Sequence, residues 1–316
     1  MSEKKKIIAI VGPTASGKSA LALEIAKRHG GEIVSCDSMQ IYKEMNIGTA
    51  KPTKEEMSEV KHHLIDIVDP DVSFSCEDYA KYASEAIDDI CSRGKLPIVC
   101  GGTGLYLDTL LRGGSSAPSI DTSEIRVKLS ARAESEGIMP LYEELKAIDP
   151  ISAEAIHPNN EKRVIRALEI YLATGKTKSE LDKLSASTDS VYDATVICLA
   201  YKNRQILYNR IDSRVDQMLS EGLIEETQNL LEKGVFESNK TAAQAIGYKE
   251  LFSYLRGEEN IEFATETLKR ATRKYAKRQI TWFSAKDYVI PLFADEEDKI
   301  KSFEDIVNIA ENMFRI

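Results

Sequence analysis

Short apolar runs alternate with helical patterns through the first hundred residues. The runs predict buried strands because they are brief, rich in Ile and Val, and bounded by glycine or polar residues. The predicted strands cover 6–11, 32–36, 61–68 and 95–100, and helical patterns cover 20–26 and 75–93. Strands alternating with helices predict an α/β fold, a parallel sheet flanked by helices.

The pattern changes near residues 112–119, which are rich in glycine, serine and proline and predict a domain boundary. Beyond it, helical periodicity fills 121–187 and strand character returns at 191–200. We therefore predict an α/β core of residues 1–113 and 191–316 that is interrupted by a helical insertion, 114–190. Later segments predict a long helix at 203–231, a restart at 242–251, a helix over 268–283, a strand at 288–290 and a helix at 302–313.

The turn after the first strand carries the clearest chemical signal. It matches the pattern G-x-x-x-x-G-K-S between a strand and a helix, the context that a P-loop requires. Its residues are Gly12, Pro13, Thr14, Ala15, Ser16, Gly17, Lys18 and Ser19. Backbone N–H groups and the helix N-terminus predict a phosphate site, with the Lys18 charge and the Ser19 hydroxyl available to a phosphate oxygen or Mg²⁺.

Two further turns are expected at the same edge of the sheet, where α/β proteins bind ligands. Asp37 follows the second strand, where it could serve the phosphate site or cap a turn. Thr103 lies in a Gly-Gly-Thr-Gly turn after the strand 95–100. Glycines permit close backbone approach there, although a tight turn without a ligand is the simpler alternative.

Charge is distributed unevenly along the chain. The formal net charge of −9 argues weakly against a nucleic-acid partner. Yet residues 268–283 contain six cations and no acid, which favours a polyanion-facing helix over a solvated amphipathic one. Arg163 and Arg166 share a helix face in the insertion, a spacing that more often marks a solvated surface.

Several functional classes receive no support from the composition. No apolar run has transmembrane length and no signal peptide is recognisable, so the cytoplasm is the expected location. The five cysteines are scattered and predict reduced thiols rather than disulfides or zinc ligands. His62 and His63 are adjacent on a predicted strand and point to opposite faces, which suits a structural role better than a shared metal.

Motifs spread over nearly the whole chain resemble the bacterial tRNA dimethylallyltransferase family. They comprise Gly12–Ser19, Asp37–Tyr42, Ile47–Pro52, His62–Asp66, Gly101–Tyr106, Arg163–Glu169, Ile246–Tyr248 and Lys277–Trp282. The resemblance implies transfer of a dimethylallyl group from dimethylallyl diphosphate to N6 of adenosine 37, in tRNAs that read codons starting with U. It also implies Mg²⁺ as cofactor and the tRNA anticodon stem-loop as partner; we expect a monomer.

The resemblance also assigns roles to individual residues. Asp37 is implied as the base, Thr103 as a contact of the target base, and Arg214, with Arg210 nearby, as part of the reaction channel. The P-loop would hold the diphosphate, with Ser19 as a candidate Mg²⁺ ligand. The implied tRNA-binding residues are Asp37, Ser38, Met39, Gln40, Thr103, Glu161, Lys162, Arg163, Val164, Ile165, Arg166, Gly247, Arg273, Lys277 and Arg278.

Two other functions remain open at the level of sequence. A P-loop small-molecule kinase would bind ATP and is expected to carry an aspartate after a core strand, where this chain has Gly-Gly-Thr-Gly. An RNA-binding nucleotide switch would bind nucleotide and form no covalent product.

Overall fold

The computed structural model describes residues 4–114, 122–186 and 190–314. The chain divides into two compact units, Met1–Gly113 with Val191–Ile316, and Gly114–Ser190. Most of the boundary predicted at 112–119 lies outside the described residues. The first unit holds the sheet and the second contains helices only in its described part.

A parallel sheet of six strands organises the first unit, as the sequence predicts. Its strands are β1 (Lys5–Val11), β2 (Glu32–Ser35), β3 (His62–His63), β4 (Pro97–Gly101), β5 (Tyr192–Ala200) and β6 (Val289–Phe293). The spatial order is β3-β2-β4-β1-β5-β6. The central strand β1 pairs with β4 through Val11 opposite Gly101 and with β5 through Val11 opposite Cys198, so β1 and β4 end at one level and β5 continues to Ala200.

Helices cover both faces of this sheet because its strands are apolar on both sides. Along β1, Ile7, Ala9 and Val11 pack under helices of one face, while Ile8 and Ile10 pack under helices of the other. The helices of the first unit are α1 (Lys18–His29), α2 (Lys54–Glu59), α3 (Cys76–Ser92), α4 (Gly104–Leu111), α10 (Arg204–Ser220), α11 (Leu223–Glu232), α12 (Val235–Ser238), α13 (Phe252–Leu255), α14 (Ile261–Ser284) and α15 (Phe303–Met313), with 3₁₀ turns at Ala242–Gln244 and Lys249–Leu251 and a small hairpin of β7 (Asp295–Glu296) and β8 (Lys299–Ile300).

The second unit has its own core. Its helices are α5 (Ser123–Glu136), α6 (Ile138–Ile148), α7 (Pro150–Ala155), α8 (Glu161–Thr174) and α9 (Lys178–Ala186). Leu141, Val164 and Leu168 are fully buried at its centre. Glu169 is also buried, and Arg126 and Arg166 neutralise its carboxylate from the surface.

Three predicted elements differ from the structure. The helical restart predicted at 242–251 consists of two 3₁₀ turns, Ala242–Gln244 and Lys249–Leu251. The strand predicted at 61–68 is reduced to His62–His63, because Leu64 and Asp66 have positive φ angles of 62° and 56° that turn the chain out of the sheet. The helix predicted at 203–231 is two helices, because Gly222, with a φ of 103°, breaks it between α10 and α11.

Within the described ranges, no helix is long and apolar enough to cross a membrane. All five cysteines are free thiols. His63 contacts the buried Glu32 carboxylate at 2.8 Å, beside Arg93 and Lys95, so this histidine belongs to a structural ion cluster.

Candidate active site at the carboxyl edge of the sheet

The loop between β1 and α1 has the conformation of an anion-binding turn. Gly12, Ala15 and Gly17 have positive φ angles of 144°, 61° and 98°. A Cβ on Gly12 would lie 2.5 Å from the Leu199 carbonyl oxygen, so only glycine fits beside β5. Gly17 begins α1 without a side-chain cap, which leaves the first-turn N–H groups available to an anion.

Side chains from three other segments hold the backbone of this loop. The Thr14 N–H donates to Oε1 of Gln279 at 2.8 Å. The carbonyl of Ala15 accepts from Nε of Arg210 at 2.9 Å, and the carbonyl of Ser16 accepts from the Tyr201 hydroxyl at 3.1 Å. Arg210 therefore supports the loop, a role that its position in α10 did not reveal.

The Ser16 side chain indicates that the loop binds a ligand. Its hydroxyl oxygen is buried and has no hydrogen-bond partner in the described part of the protein. A buried hydroxyl without a partner costs free energy of about 1–3 kcal/mol, which an anion bound in the loop would recover. Ser19 is an exposed residue at the start of α1, and its side chain is within hydrogen-bond reach of the Cys100 thiol.

Two cations and a carboxylate share the space above the loop. Burial lowers the pKa of the Lys18 ammonium; the Cys100 thiol and Asp37 oppose this shift, and the charge of Arg214 adds to it. Burial likewise lowers the pKa of Arg214, which Asp37 raises and Arg210 lowers. Each of these charges acts on the others, so Lys18 and Arg214 form a cationic site with Asp37 beside it.

Asp37 belongs to a tight turn that follows β2. Its Oδ1 accepts from the Met39 N–H at 2.9 Å and from the Gln40 N–H at 3.4 Å. The side-chain NH₂ group of Gln40 is used within the protein, because its Nε2 donates to the carbonyls of Thr49 and Ala50 at 3.2 and 3.1 Å. Met39 packs at the edge of an apolar cluster. Asp37 thus organises a turn, and its carboxylate also interacts electrostatically with Lys18 and Arg214.

Thr103 connects this turn to the one that follows β4. Its Oγ1 accepts from the Ser38 N–H at 3.0 Å, and its own N–H donates to the Cys36 carbonyl at 3.2 Å. The structure therefore brings the Asp37–Ser38 segment and the Thr103 turn together, as the sequence predicted from the ends of two strands.

The glycines of the second turn are required by contacts within the protein. A Cβ would lie 2.0 Å from the Cys36 carbonyl oxygen at Gly101. At Gly102 it would lie 2.1 Å from Nε2 of Gln279, and at Gly104 2.2 Å from the Trp282 ring. The close backbone approach expected there is thus made by β2 and α14. The turn is where α14 docks on the sheet.

Tyr275 of α14 is a further residue near the site, and no motif in the sequence identified it. Burial raises the pKa of its hydroxyl, the Asp37 carboxylate acts in the same direction, and a hydrogen bond with Thr103 opposes them. The hydroxyl is therefore close to both of these predicted site residues. A polar tip within an otherwise apolar helix stripe is the signal that could have identified it.

The cations of α14 divide into two sets. Arg273 bonds to Asp212 of α10 at 2.6 Å, and Lys269 bonds to Asp216 at 2.7 Å. The others are exposed and have no ion pair among the described residues, and we call them the cationic face: Arg270, Lys274, Lys277 and Arg278. Arg278 also lies over the Tyr275 ring at 5.5 Å, which connects this face to the site.

The remaining predicted tRNA contacts lie in two places. Gly247, with a φ of 115°, packs against the Gly48 backbone in the first unit. On α8 of the second unit, Glu161, Lys162 and Arg163 are exposed. The other predicted residues of α8 have structural contacts: Val164 and Ile165 are buried, and Arg166 binds the Glu169 carboxylate at 2.5 Å.

The described ranges contain no cluster of three or more His, Cys, Asp or Glu side chains that could hold a metal ion. The Ser19 side chain at the start of α1 offers an oxygen donor of the hard kind that Mg²⁺ prefers.

Known proteins resemble this chain along its full length. A sequence model of the IPP transferase family matches residues 40–286. The tRNA dimethylallyltransferase of Caldanaerobacter subterraneus is 49% identical over 310 residues, which cover 98% of this chain and 96% of that protein.

Solved structures agree. The tRNA isopentenylpyrophosphate transferase of Staphylococcus epidermidis is 44% identical, with 98% of both chains covered and a TM-score of 0.69. A eukaryotic dimethylallyltransferase acting on tRNA is 33% identical, with a TM-score of 0.77 over 92% of this chain and 74% of that one. The chain therefore belongs to the IPP transferase family, and the relatives it matches at 49% identity are tRNA dimethylallyltransferases.

Proposed function

We propose that the protein transfers a dimethylallyl group from dimethylallyl diphosphate to N6 of adenosine 37 in tRNAs that read codons starting with U, releasing diphosphate. Family membership supports the reaction class. The observation that carries the proposal in this chain is the position of Asp37 beside two half-buried cations, Lys18 and Arg214, at the P-loop. The turn after β4 is Gly-Gly-Thr-Gly and lacks the aspartate that a kinase is expected to carry there. The kinase alternative is not favoured.

The cationic site suits a departing diphosphate. When the allylic C–O bond breaks, the electron pair leaves with diphosphate, and its growing charge meets Lys18, Arg214 and the N–H groups at the start of α1. These groups are already in place and partly shielded from water, which strengthens their effect on the transition state. Mg²⁺, held by Ser19 and the diphosphate oxygens, would add positive charge at the same place.

Asp37 is proposed as the base. As the bond from N6 to the allylic carbon forms, the amine loses a proton that a carboxylate within reach can accept. One oxygen of Asp37 is held by the Met39 N–H, which fixes the direction of the other. Thr103 and the Tyr275 hydroxyl lie beside it, and they are suited to orient the adenine.

A flipped nucleotide must reach this edge of the sheet, because N6 is inaccessible inside a base stack. The cationic face of α14 is the surface in the same unit that can hold the phosphates around it. On α8 of the second unit, Lys162 and Arg163 are exposed and remain proposed tRNA contacts. We also propose that the reaction takes place in the cytoplasm and that the protein acts as a monomer.

The decisive experiment uses unmodified tRNA carrying adenosines 36 and 37, labelled dimethylallyl diphosphate and Mg²⁺. We expect label at adenosine 37 and release of diphosphate, and no label in the same tRNA with guanosine 37. Lys18→Met retains the length of the side chain without its charge and should lower turnover. Consumption of ATP without labelled tRNA would support a kinase, and nucleotide binding without any covalent product would support a switch.

A further inference from the structure

One buried carboxamide joins the two glycine-rich turns of the site. Gln279 of α14 is 5% exposed. Its Oε1 accepts from the Thr14 N–H at 2.8 Å, and its Nε2 donates to the Gly102 carbonyl at 3.0 Å. The side chain thus connects the loop after β1 to the turn after β4, although neither turn is adjacent to it in sequence.

The two connected turns carry different halves of the proposed reaction. The loop containing Thr14 and Lys18 holds the leaving diphosphate. The turn containing Gly102 carries Thr103, whose Oγ1 accepts from the Ser38 N–H and so holds the segment that presents the base. The separation between these turns sets how closely N6 approaches the allylic carbon.

We propose that Gln279 is a positioning residue, which holds the diphosphate loop at a fixed distance and orientation from the Thr103 turn. The inference rests on the proposed function. The geometry around the amide argues for this role rather than for simple filling of space. A Cβ at Gly102 would lie 2.1 Å from Nε2 of Gln279, so a side chain at that position would displace the amide from its place between the two turns.

The bridge needs one donor and one acceptor in fixed places. Methionine has the length of glutamine and can make neither hydrogen bond. A neutral glutamic acid can make both, with its carbonyl toward Thr14 and its O–H toward Gly102. An ionised one places negative charge against the Gly102 carbonyl. Burial and the facing Gly102 carbonyl favour the neutral acid and raise the pKa of this carboxyl above its ordinary value of about 4.3, while the cations at the same loop, Lys18, Arg210 and Arg214, act in the opposite direction.

This difference gives a test that loss of packing cannot imitate. The kcat and KM of wild type, Gln279→Met and Gln279→Glu are measured between about pH 5 and pH 9, the range in which a buried glutamic acid titrates. A displacement of about 1 Å in a reacting pair can cost roughly 10²-fold in rate. We expect a loss of that order in kcat for Gln279→Met at every pH, with the KM for tRNA retained.

Gln279→Glu should approach wild type at the acid end and fall away as the pH rises. Dividing each rate by the wild-type rate at the same pH removes every pH effect that the variant and wild type share. The matched control is Gln228→Met, on the exposed surface of α11, which should follow wild type throughout. A Gln279→Glu to wild-type ratio that is constant with pH, or a kcat of Gln279→Met within twofold of wild type, would overturn the proposal.

A binding measurement separates this inference from the proposed function. Inorganic diphosphate is titrated into the three proteins by calorimetry at both ends of the pH range. We expect weaker binding to Gln279→Met throughout, and to Gln279→Glu only at high pH. If wild type binds diphosphate in this pattern but labels no tRNA, the proposed reaction fails and the bridge stands. If all three bind equally at both pH values, the bridge fails even where wild type labels tRNA.

Discussion

Glu226 of α11 holds a loop that approaches the site, and the effect of removing its charge can be worked out. Its carboxylate accepts from the backbone N–H groups of Asn46 at 3.1 Å, Ile47 at 2.9 Å and Gly48 at 3.1 Å. It also accepts from the buried Tyr248 hydroxyl at 2.8 Å. Four donors converge on one anion, so Glu226→Gln replaces an acceptor with an NH₂ group that faces other N–H groups.

The magnitude follows from the kind of hydrogen bond that is lost. A hydrogen bond to a charged group contributes about 1.5–3 kcal/mol, and each 1.4 kcal/mol is a factor of ten in a local opening equilibrium. Glutamine retains one acceptor oxygen, so we assign the loss of one such bond to the loop. The amides of residues 46–48 should then exchange with solvent roughly tenfold to a hundredfold faster.

Amide hydrogen exchange measures this directly, because the donors themselves are the probes. The matched control is Glu225→Gln, the neighbouring exposed carboxylate on the same helix. We expect the control to leave exchange at 46–48 unchanged and both variants to leave the strands of the sheet protected. Equal exchange at 46–48 in Glu226→Gln and wild type would refute the reasoning. So would equal acceleration in both variants.

Three further predictions concern single residues. Asp37→Asn removes the proposed base and should lower turnover by about 10²–10⁴-fold, while tRNA binding persists because the asparagine oxygen still accepts from the Met39 N–H; an equal loss of tRNA affinity would make Asp37 a binding residue. Lys274→Glu should weaken tRNA binding and reduce its salt slope by about one, whereas Arg273→Gln should change the slope less because Asp212 already neutralises Arg273; equal slopes would contradict this division of α14. Arg93 holds the pKa of Glu32 far below its usual range, so Glu32→Gln should be less stable than wild type at neutral pH; the unfolding difference should narrow as pH falls below about 4, where the unfolded-state carboxyl takes up its proton, and a constant difference would contradict it.

The sheet was predictable because its signal is local. Apolar runs, the P-loop pattern and the glycine turns identified strands β1, β2, β4 and β5 to within one or two residues. The third strand was predicted too long because 61–68 is apolar enough for a strand, and its turn depends on left-handed residues that the pattern does not mark. Gly222 was a visible helix breaker within 203–231, but its effect depends on how α11 packs.

The site residues that follow strands were predictable from the sequence, whereas the side chains that hold the P-loop in place were not. Asp37 and Thr103 follow strands that are neighbours in the sheet, so their meeting follows from topology alone. The hydrogen bonds of Arg210 and Gln279 to the P-loop span separations in sequence of 195 and 265 residues. No spacing rule reaches that far, because such contacts exist only once the helices have docked.

Helix α14 shows why a composition argument reached only part of the answer. Its six cations suggested one polyanion-binding surface, yet a helix has several faces, and each meets a different neighbour. On one face, Lys269 and Arg273 form ion pairs with carboxylates of α10. On the buried face, Gln279 forms hydrogen bonds with the two turns. Only the exposed face is left for a nucleic acid. A polyanion bound there would rest on the same rigid helix that fixes the diphosphate loop, so positioning of both substrates depends on how α14 docks.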